Sequence, residues 1–253
     1  MDQSQDKKQS IFIHLAALRN ILVISVAAIG IAFVAIFYLG VDYIMAQLTK
    51  PIVDRGIEII YTAVSEALMT KLKVALIAAV VVASPIVIWQ IWRFIKPALY
   101  PHEKKAFRVI FFVAVFLFLL GVAFCYGAVY MLAVDFFLVS GQDLAAPMLS
   151  IDKYIGFLFG FVLPFGLAFE LPIILYVTTR LGLTSYDGLA SKRKFVVLAV
   201  AIIAAVLTPP DVVSQIMLGI PVLVLFEIGL QVCRRVKPRD KQSEEEEVQL
   251  SEE

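Results

Sequence analysis

The sequence predicts an all-α protein that crosses a membrane six times, and three observations support this fold class. Hydrophobic residues make up 61% of the 253 residues and charged residues 17%, whereas soluble domains have about 45–50% and about 25%. The mean hydropathy is +0.90. The apolar residues are concentrated in six segments, and the only charged side chains inside them are Glu170 and Glu227. These segments are 21–39, 74–92, 109–134, 154–179, 195–210 and 212–233.

The first four segments meet or nearly meet the length of a membrane-spanning helix. A hydrocarbon core of roughly 30 Å needs about 20 apolar residues in helical form. Backbone groups inside lipid must find their hydrogen-bond partners within the segment, and the alternating pattern of a β-barrel is absent. Each segment is therefore predicted to be a helix. The first one is longer than the roughly 7–15 apolar residues of a signal peptide and is expected to remain as a span.

The last three segments predict departures from straight, full-length spans. Pro164 and Pro172 each remove a backbone donor, so the fourth helix is expected to kink around a concavity. Residues 195–207 would reach only about 20 Å before the chain turns. In the sixth segment the uninterrupted apolar part is 216–226. We therefore expect a concave bundle with short fifth and sixth helices, and a re-entrant hairpin of these two is the alternative.

The positions of Lys and Arg predict the topology. Seventeen of the 22 lie in the N-terminal segment, the second–third and fourth–fifth connections and the tail, and five lie on the other side. Because basic residues are enriched in cytoplasmic loops, both termini are predicted to be cytoplasmic. Residues 1–233 are expected to form one transmembrane domain and 234–253 a charged, disordered tail. Residues 10–20 are predicted to be an amphipathic helix at the inner surface.

Several chemistries are excluded by the residue inventory. Two histidines and two cysteines do not provide a zinc site or a disulfide framework at sensible spacing. The sequence contains no nucleophile elbow, phosphate-binding loop or dinucleotide fingerprint. The formal charge of +1 gives no electrostatic case for nucleic acid. We therefore expect no metal, no cofactor and no enzyme activity.

Polar residues within the predicted spans are candidates for function. A carboxylate at Glu170 costs roughly 2.5–3.5 kcal/mol on insertion scales, so it should face the protein interior or a wet cavity. A protonated, purely structural Glu170 is the alternative. Asp211, Gln215 and Gly219 share one face of the sixth helix, which is either an internal seam or a docking face. Asp211 is also predicted to cap that helix.

Two further features of the spans predict structural roles. Glu227 lies within two turns of Arg234 and Arg235, so snorkelling or pairing there is expected. Gly156 and Gly160 have the small-residue spacing that is typical of close helix packing.

The connection between the second and third spans is unusually constrained for a loop. Pro97 and Pro101 restrict its backbone. Phe94 is one of two aromatic residues that could anchor it, and Glu103 is the only carboxylate among five basic residues. On charge alone Glu103 could pair with neighbouring lysines. The rigidity equally favours a recognition surface.

Four strings together resemble the TatC family, the multispanning subunit of the twin-arginine protein translocase. The strings occur in the order and at the spacing of that family, and the resemblance covers nearly the whole chain. They are residues 14–19 (HLAALR), 94–103 (FIKPALYPHE), 169–172 (FELP) and 207–211 (LTPPD).

The resemblance implies a receptor that works in the bacterial inner membrane. It would bind twin-arginine signal peptides, using Phe94 and Glu103 together with Arg19 and His14. With TatA- and TatB-like single-span partners it would export folded proteins by the proton-motive force, as a homo-oligomer within a larger complex. Glu170 would line the concave face.

The resemblance also implies that Thr208, Asp211 and Gln215 meet a partner helix. The family's N-terminal string usually has a glutamate where this chain has Ala17, so the N-terminal segment lacks one carboxylate of the family pattern. A proton- or ion-coupled transporter that uses Glu170 is the alternative function.

Overall fold

The computed structural model describes residues 3–95, 104–141, 148–208 and 211–235, without the side chains of 3–17, 94–95 and 104–107. The chain is predominantly helical, as predicted, and divides into two compact units, Met1–Gly166 and Leu167–Glu253. The helices are α1 (Gln3–Leu39), α2 (Val41–Val53), α3 (Glu66–Ile95), α4 (Lys104–Phe124), α5 (Met131–Gly141), α6 (Ile151–Phe169), α7 (Leu171–Arg180), α8 (Tyr186–Ser191), α9 (Arg193–Leu207) and α10 (Val212–Arg234). A π-helical segment, Cys125–Tyr130, joins α4 to α5, and two strands complete the elements, β1 (Glu58–Ile60) and β2 (Met148–Ser150).

Within the described ranges, five helical stretches are long and apolar enough to cross a membrane. They contain the first, second, third, fourth and sixth predicted segments. The fifth segment corresponds to α9, which has 15 residues and extends about 22 Å. The five stretches are Leu18–Leu39, Glu66–Arg93, Arg108–Gly141, Ile151–Arg180 and Val212–Arg234.

Two expectations about the extent of individual helices are wrong. The sixth helix is not short, because α10 has 23 residues and extends about 34 Å. Its polar residues Ser214 and Gln215 lie in the first turns without interrupting the helix, and Pro221 lies inside it. Residues 10–20 are also not a separate surface helix, since α1 continues through them without a break. The predicted tail beyond residue 235 lies outside the described residues.

In the first unit, tyrosines complete the hydrogen bonding of α2. Pro51 lies inside α2 and has no N–H to donate to the carbonyl of Gln47. The hydroxyl of Tyr126 donates to that carbonyl at 3.2 Å, and the hydroxyl of Tyr154 donates to the next one, Leu48 O, at 2.7 Å. Tyr126 belongs to the π-helical segment, so this irregular part of the chain helps to hold α2.

A single carboxylate ties the start of α3 to the start of α6. Glu66 is 9% exposed. Its Oε2 accepts hydrogen bonds from the backbone and hydroxyl of Thr62, and its Oε1 accepts them from the Ser150 hydroxyl and the Asp152 N–H. Asp152 in turn pairs with Lys73. The strands beside this cluster, β1 and β2, pair in parallel with Glu58 opposite Met148.

In the second unit, α7 and α9 both pack on α10. The approach to α7 is close at Gly229, where a Cβ atom would lie 2.7 Å from Leu175 Cδ1 and 3.2 Å from Pro172 Cα. The buried cluster between these helices includes Leu175, Phe226, Leu230 and Cys233. The Thr179 hydroxyl donates to Cys233 Sγ at 3.2 Å within it. Gly229 therefore sets how closely α7 can approach α10.

Candidate functional site

Glu170 occupies the turn between α6 and α7. Its backbone has φ −76° and ψ −17°, and its carbonyl accepts hydrogen bonds from the N–H groups of Ile173 and Ile174. Pro172 at the start of α7 has no N–H to continue the hydrogen bonding of α6, which accounts locally for the interruption. The angle of the predicted kink stays a prediction.

The side chain of Glu170 is half-buried, and one of its oxygens is left without a partner. Oε1 is buried and has no hydrogen-bond partner within the part of the chain that the structure describes. A buried polar atom without a hydrogen-bond partner raises the free energy of the folded protein, and the cost is larger in a segment as apolar as the fourth predicted span. Such an oxygen is suited to hold a proton or to accept a hydrogen bond from an incoming group.

The turn between α9 and α10 holds a second group of buried polar atoms. The Thr208 hydroxyl donates to Ala204 O at 2.8 Å. Asp211 Oδ1 accepts from the backbone N–H of Ser214 at 2.7 Å, which confirms Asp211 as the N-cap of α10. Asp211 Oδ2 and Ser214 Oγ are buried and have no hydrogen-bond partner among the described residues. This end of α10 therefore has unused hydrogen-bonding capacity.

The predicted stripe of Asp211, Gln215 and Gly219 does not present one uniform surface. Gln215 is half-buried. A Cβ atom at Gly219 would lie 3.8 Å from Val200 Cγ1 of α9, so this member of the stripe faces a neighbouring helix of its own unit. That contact supports an internal seam at Gly219 and leaves Asp211 and Gln215 as the possible docking positions.

Sequence reasoning missed a different stripe on α10. Six β-branched residues recur at every fourth position and are all exposed, from 38% at Val232 to 69% at Val212. Their spacing in the sequence could have revealed this apolar face. They are Val212, Ile216, Ile220, Val224, Ile228 and Val232.

Glu227 is a paired carboxylate, as expected, but its partner is neither Arg234 nor Arg235. Arg193 of α9 donates two hydrogen bonds to it, from Nε to Oε1 at 2.8 Å and from Nη2 to Oε2 at 3.0 Å. At Gly156 a Cβ atom would meet no described atom within 4 Å, so Gly156 makes no close helix contact among the described residues, and close packing at Gly160 stays a prediction.

Most of the predicted signal-binding residues are not described in side-chain detail. Arg19 is exposed on α1. The side chains of His14 and Phe94, and all of Glu103, lie outside the described residues, so their proximity stays a prediction. No group of three His, Cys, Asp or Glu residues that could hold a metal ion occurs among the described residues.

Comparison with known proteins identifies the family. The profile of the family described as "Sec-independent protein translocase protein (TatC)" matches residues 13–221. The chain belongs to the TatC family. The resemblance predicted from the four strings is thereby confirmed.

Relatives in the TatC family align over most of the chain. The TatC protein of Carboxydothermus hydrogenoformans is 41% identical over 93% of this chain and 97% of its own length. That of Haemophilus influenzae is 36% identical over 94% of both chains. A crystal structure described as twin arginine translocase receptor TatC has 40% identity and a TM-score of 0.82, covering 87% of this chain and 99% of its own. These relatives are named as protein translocase components, and the chain is a multi-pass membrane protein of that family.

Proposed function

We propose that this chain is the signal-peptide receptor and core subunit of a translocase that exports folded proteins by the proton-motive force. The observation that carries the proposal is the TatC family match over residues 13–221, within which the 94–103 string lies. Its partners would be twin-arginine signal peptides, TatA- and TatB-like single-span proteins and further copies of this chain. The role is recognition and transport, not catalysis of bond chemistry.

The proposed recognition rests on the chemistry of the two arginines. A guanidinium presents a planar fork that a carboxylate can accept bidentately, and lysine does not match this geometry. Glu103 supplies that carboxylate, and Phe94, Arg19 and His14 complete the proposed surface. Prolines that restrict the loop would lower the entropic cost of binding. Because Ala17 stands where the family has a glutamate, either another acid near the N-terminus, Asp2 or Asp6, substitutes for it or this chain relies more heavily on Glu103.

A six-span topology in the bacterial inner membrane, with both termini cytoplasmic, accompanies the proposal. Five helical stretches are long enough to cross the membrane, and α9 would make the sixth crossing. Its 15 residues extend about 22 Å, which spans the bilayer if the bilayer thins locally. The 17-to-5 distribution of basic residues supports this orientation.

Glu170 and the start of α10 have proposed roles within the membrane. The buried, unpartnered Oε1 of Glu170 supports a position facing a cavity in a concave bundle. The unused hydrogen-bonding capacity of Asp211 and Ser214 supports docking of a partner's single helix near Thr208, Asp211 and Gln215.

A twin-arginine peptide that carries a photo-crosslinker tests the receptor role. In membranes that contain this chain, the peptide should crosslink to residues 94–103, and a peptide with both arginines replaced by lysine should not. Glu103→Gln should weaken peptide binding by roughly one to two orders of magnitude, because a charge-assisted hydrogen bond contributes about 1.5–3 kcal/mol. Equal crosslinking in the variant, at equal membrane insertion, would contradict the assignment.

The unpartnered oxygen of Glu170 also supports the alternative, a proton- or ion-coupled secondary transporter. Proteoliposomes distinguish the two functions. A transporter would carry protons or ions without any partner subunit and lose that flux in Glu170→Gln, whereas the proposed receptor would show no flux alone.

A further inference from the structure

A groove runs along the part of the second unit where α7 and α10 end in basic residues. It has a volume of about 780 Å³ and extends on α10 from Ile220 to Arg235. Most of its wall is apolar, formed by Ile220, Leu223, Val224, Ile228 and Val232. Polar groups occur from its middle to one end, where Tyr176, Glu227, Gln231 and Arg235 line it.

The charged end of the groove is cationic. Glu227 is the one acid among its lining residues, and both of its oxygens are bound by Arg193. Arg235 is exposed, and its guanidinium has no ion-pair partner among the described residues. Arg180 lies beside this end, since its Nη1 donates to the Tyr176 hydroxyl at 2.7 Å. The groove therefore joins a long apolar wall to the positive charge of Arg235.

The length of the groove matches one leaflet of a bilayer. The fifteen-residue separation of Ile220 and Arg235 corresponds to about 22 Å along a helix. Half of a bilayer that measures about 40–45 Å including its headgroups is also about 20–22 Å. One lipid of a single leaflet fills this length from headgroup to chain end.

We propose that this groove is a binding site for an anionic phospholipid. The acyl chains lie along the apolar wall of α10. The phosphodiester accepts charge-assisted hydrogen bonds from Arg235 and further hydrogen bonds from Gln231 and the Tyr176 hydroxyl. Basic pockets between membrane helices bind anionic headgroups on this principle, and the apolar wall adds selectivity for a lipid over a free anion.

Native mass spectrometry of the purified full-length chain, released from nanodiscs, tests the proposal. The nanodiscs contain equal amounts of phosphatidylglycerol and phosphatidylcholine with the same acyl chains. The wild-type protein should retain phosphatidylglycerol preferentially. Arg235→Gln should lower that retention at least about tenfold, the effect expected for a lost charge-assisted hydrogen bond. Arg234→Gln is the matched control, because this neighbouring arginine does not line the groove, and it should have little effect.

A second variant tests the apolar wall without changing the charge. Val224→Trp places a large side chain in the groove and should displace the lipid while Arg235 remains. Equal losses in Arg234→Gln and Arg235→Gln, retention of phosphatidylcholine at the same level, or displacement of the lipid by inorganic phosphate would each overturn the proposal. The proposal would also be overturned if the Val224→Trp protein kept its lipid but lost a single-span partner protein, because the groove would then hold a helix. Retention is measured without signal peptide, so its failure would leave the receptor proposal untouched.

Discussion

Replacing Gly229 with alanine should weaken the packing of α7 on α10. The added Cβ would lie 2.7 Å from Leu175 Cδ1 and 3.2 Å from Pro172 Cα. The first contact is with the end of a side chain, but Leu175 belongs to the buried cluster and has little room to turn away. The second is with backbone and can be relieved only by moving α7.

The net effect combines a steric cost with a gain in helix propensity. Overpacking a well-filled interior costs about 1–3 kcal/mol, and replacing a helical glycine by alanine returns about 0.5–1 kcal/mol. Gly229→Ala should therefore destabilise the protein by up to about 2.5 kcal/mol. In a chain of this size each kcal/mol lowers Tm by about 2–4 °C.

Thermal unfolding in detergent measures this effect, and the chain provides a matched control. At Gly156 an added Cβ meets no described atom within 4 Å, so Gly156→Ala should raise Tm slightly. Leu175→Val removes the methyl group that the new Cβ approaches, so it should cost less in the Gly229→Ala background than in the wild type. Equal Tm values for Gly229→Ala and Gly156→Ala would refute the argument.

Three other predictions concern polar groups. Tyr126→Phe removes the hydroxyl that donates to Gln47 O in place of the N–H that Pro51 lacks. The substitution should lower the free energy of unfolding by about 0.5–1.5 kcal/mol in thermal unfolding, and Tyr38→Phe at an exposed position is the control. Glu170→Cys, made in a background without the native cysteines, should react with a membrane-impermeant maleimide if this position faces water. Complete protection from the maleimide, together with normal export by Glu170→Ala, would leave Glu170 only a packing role. Gln215→Leu should lower co-purification of a TatA- or TatB-like partner while signal-peptide binding is retained. The hydrogen bond from Gln215 to the partner helix is expected to contribute roughly 0.6 kcal/mol. Disulfide scanning that links position 215 only to positions of its own chain would contradict the docking role.

Helices and caps could be predicted because local residues determine them. The apolar segments located the spans, since hydrogen bonding inside lipid allows few other structures. Asp211 could be recognised as a cap because it follows Pro209 and Pro210 and precedes an apolar run. The predicted shortness of α10 is wrong for a related reason. Ser214 and Gln215 interrupt the apolar run, but helical hydrogen bonds connect backbone groups and do not depend on side-chain polarity.

Partners far apart in sequence could not be predicted. Glu227 lies close to Arg234 and Arg235 along the chain, but its partner is Arg193, which is 34 residues away on another helix. The Glu66 cluster and the pairing of β1 with β2 join segments that are more than 80 residues apart, and each strand has only three residues. For the candidate site, the sequence singled out Glu170 and Asp211, but only the structure identified which of their oxygens lack partners.

The π-helical segment Cys125–Tyr130 has a consequence for the alignment of the two helices that it joins. A π turn accommodates one more residue than an α turn, so shortening this segment by one residue would restore ordinary helical winding. Removing that residue would therefore leave the face of α5 where it is. Each residue of an α-helix corresponds to a rotation of about 100°, so ordinary winding with all six residues kept would turn everything after the segment by about that angle. Such a change would swing Asp135 away from Arg55, which it now meets at 2.8 Å. The extra residue acts as a phase shift that directs the face of α5 toward its ionic partner.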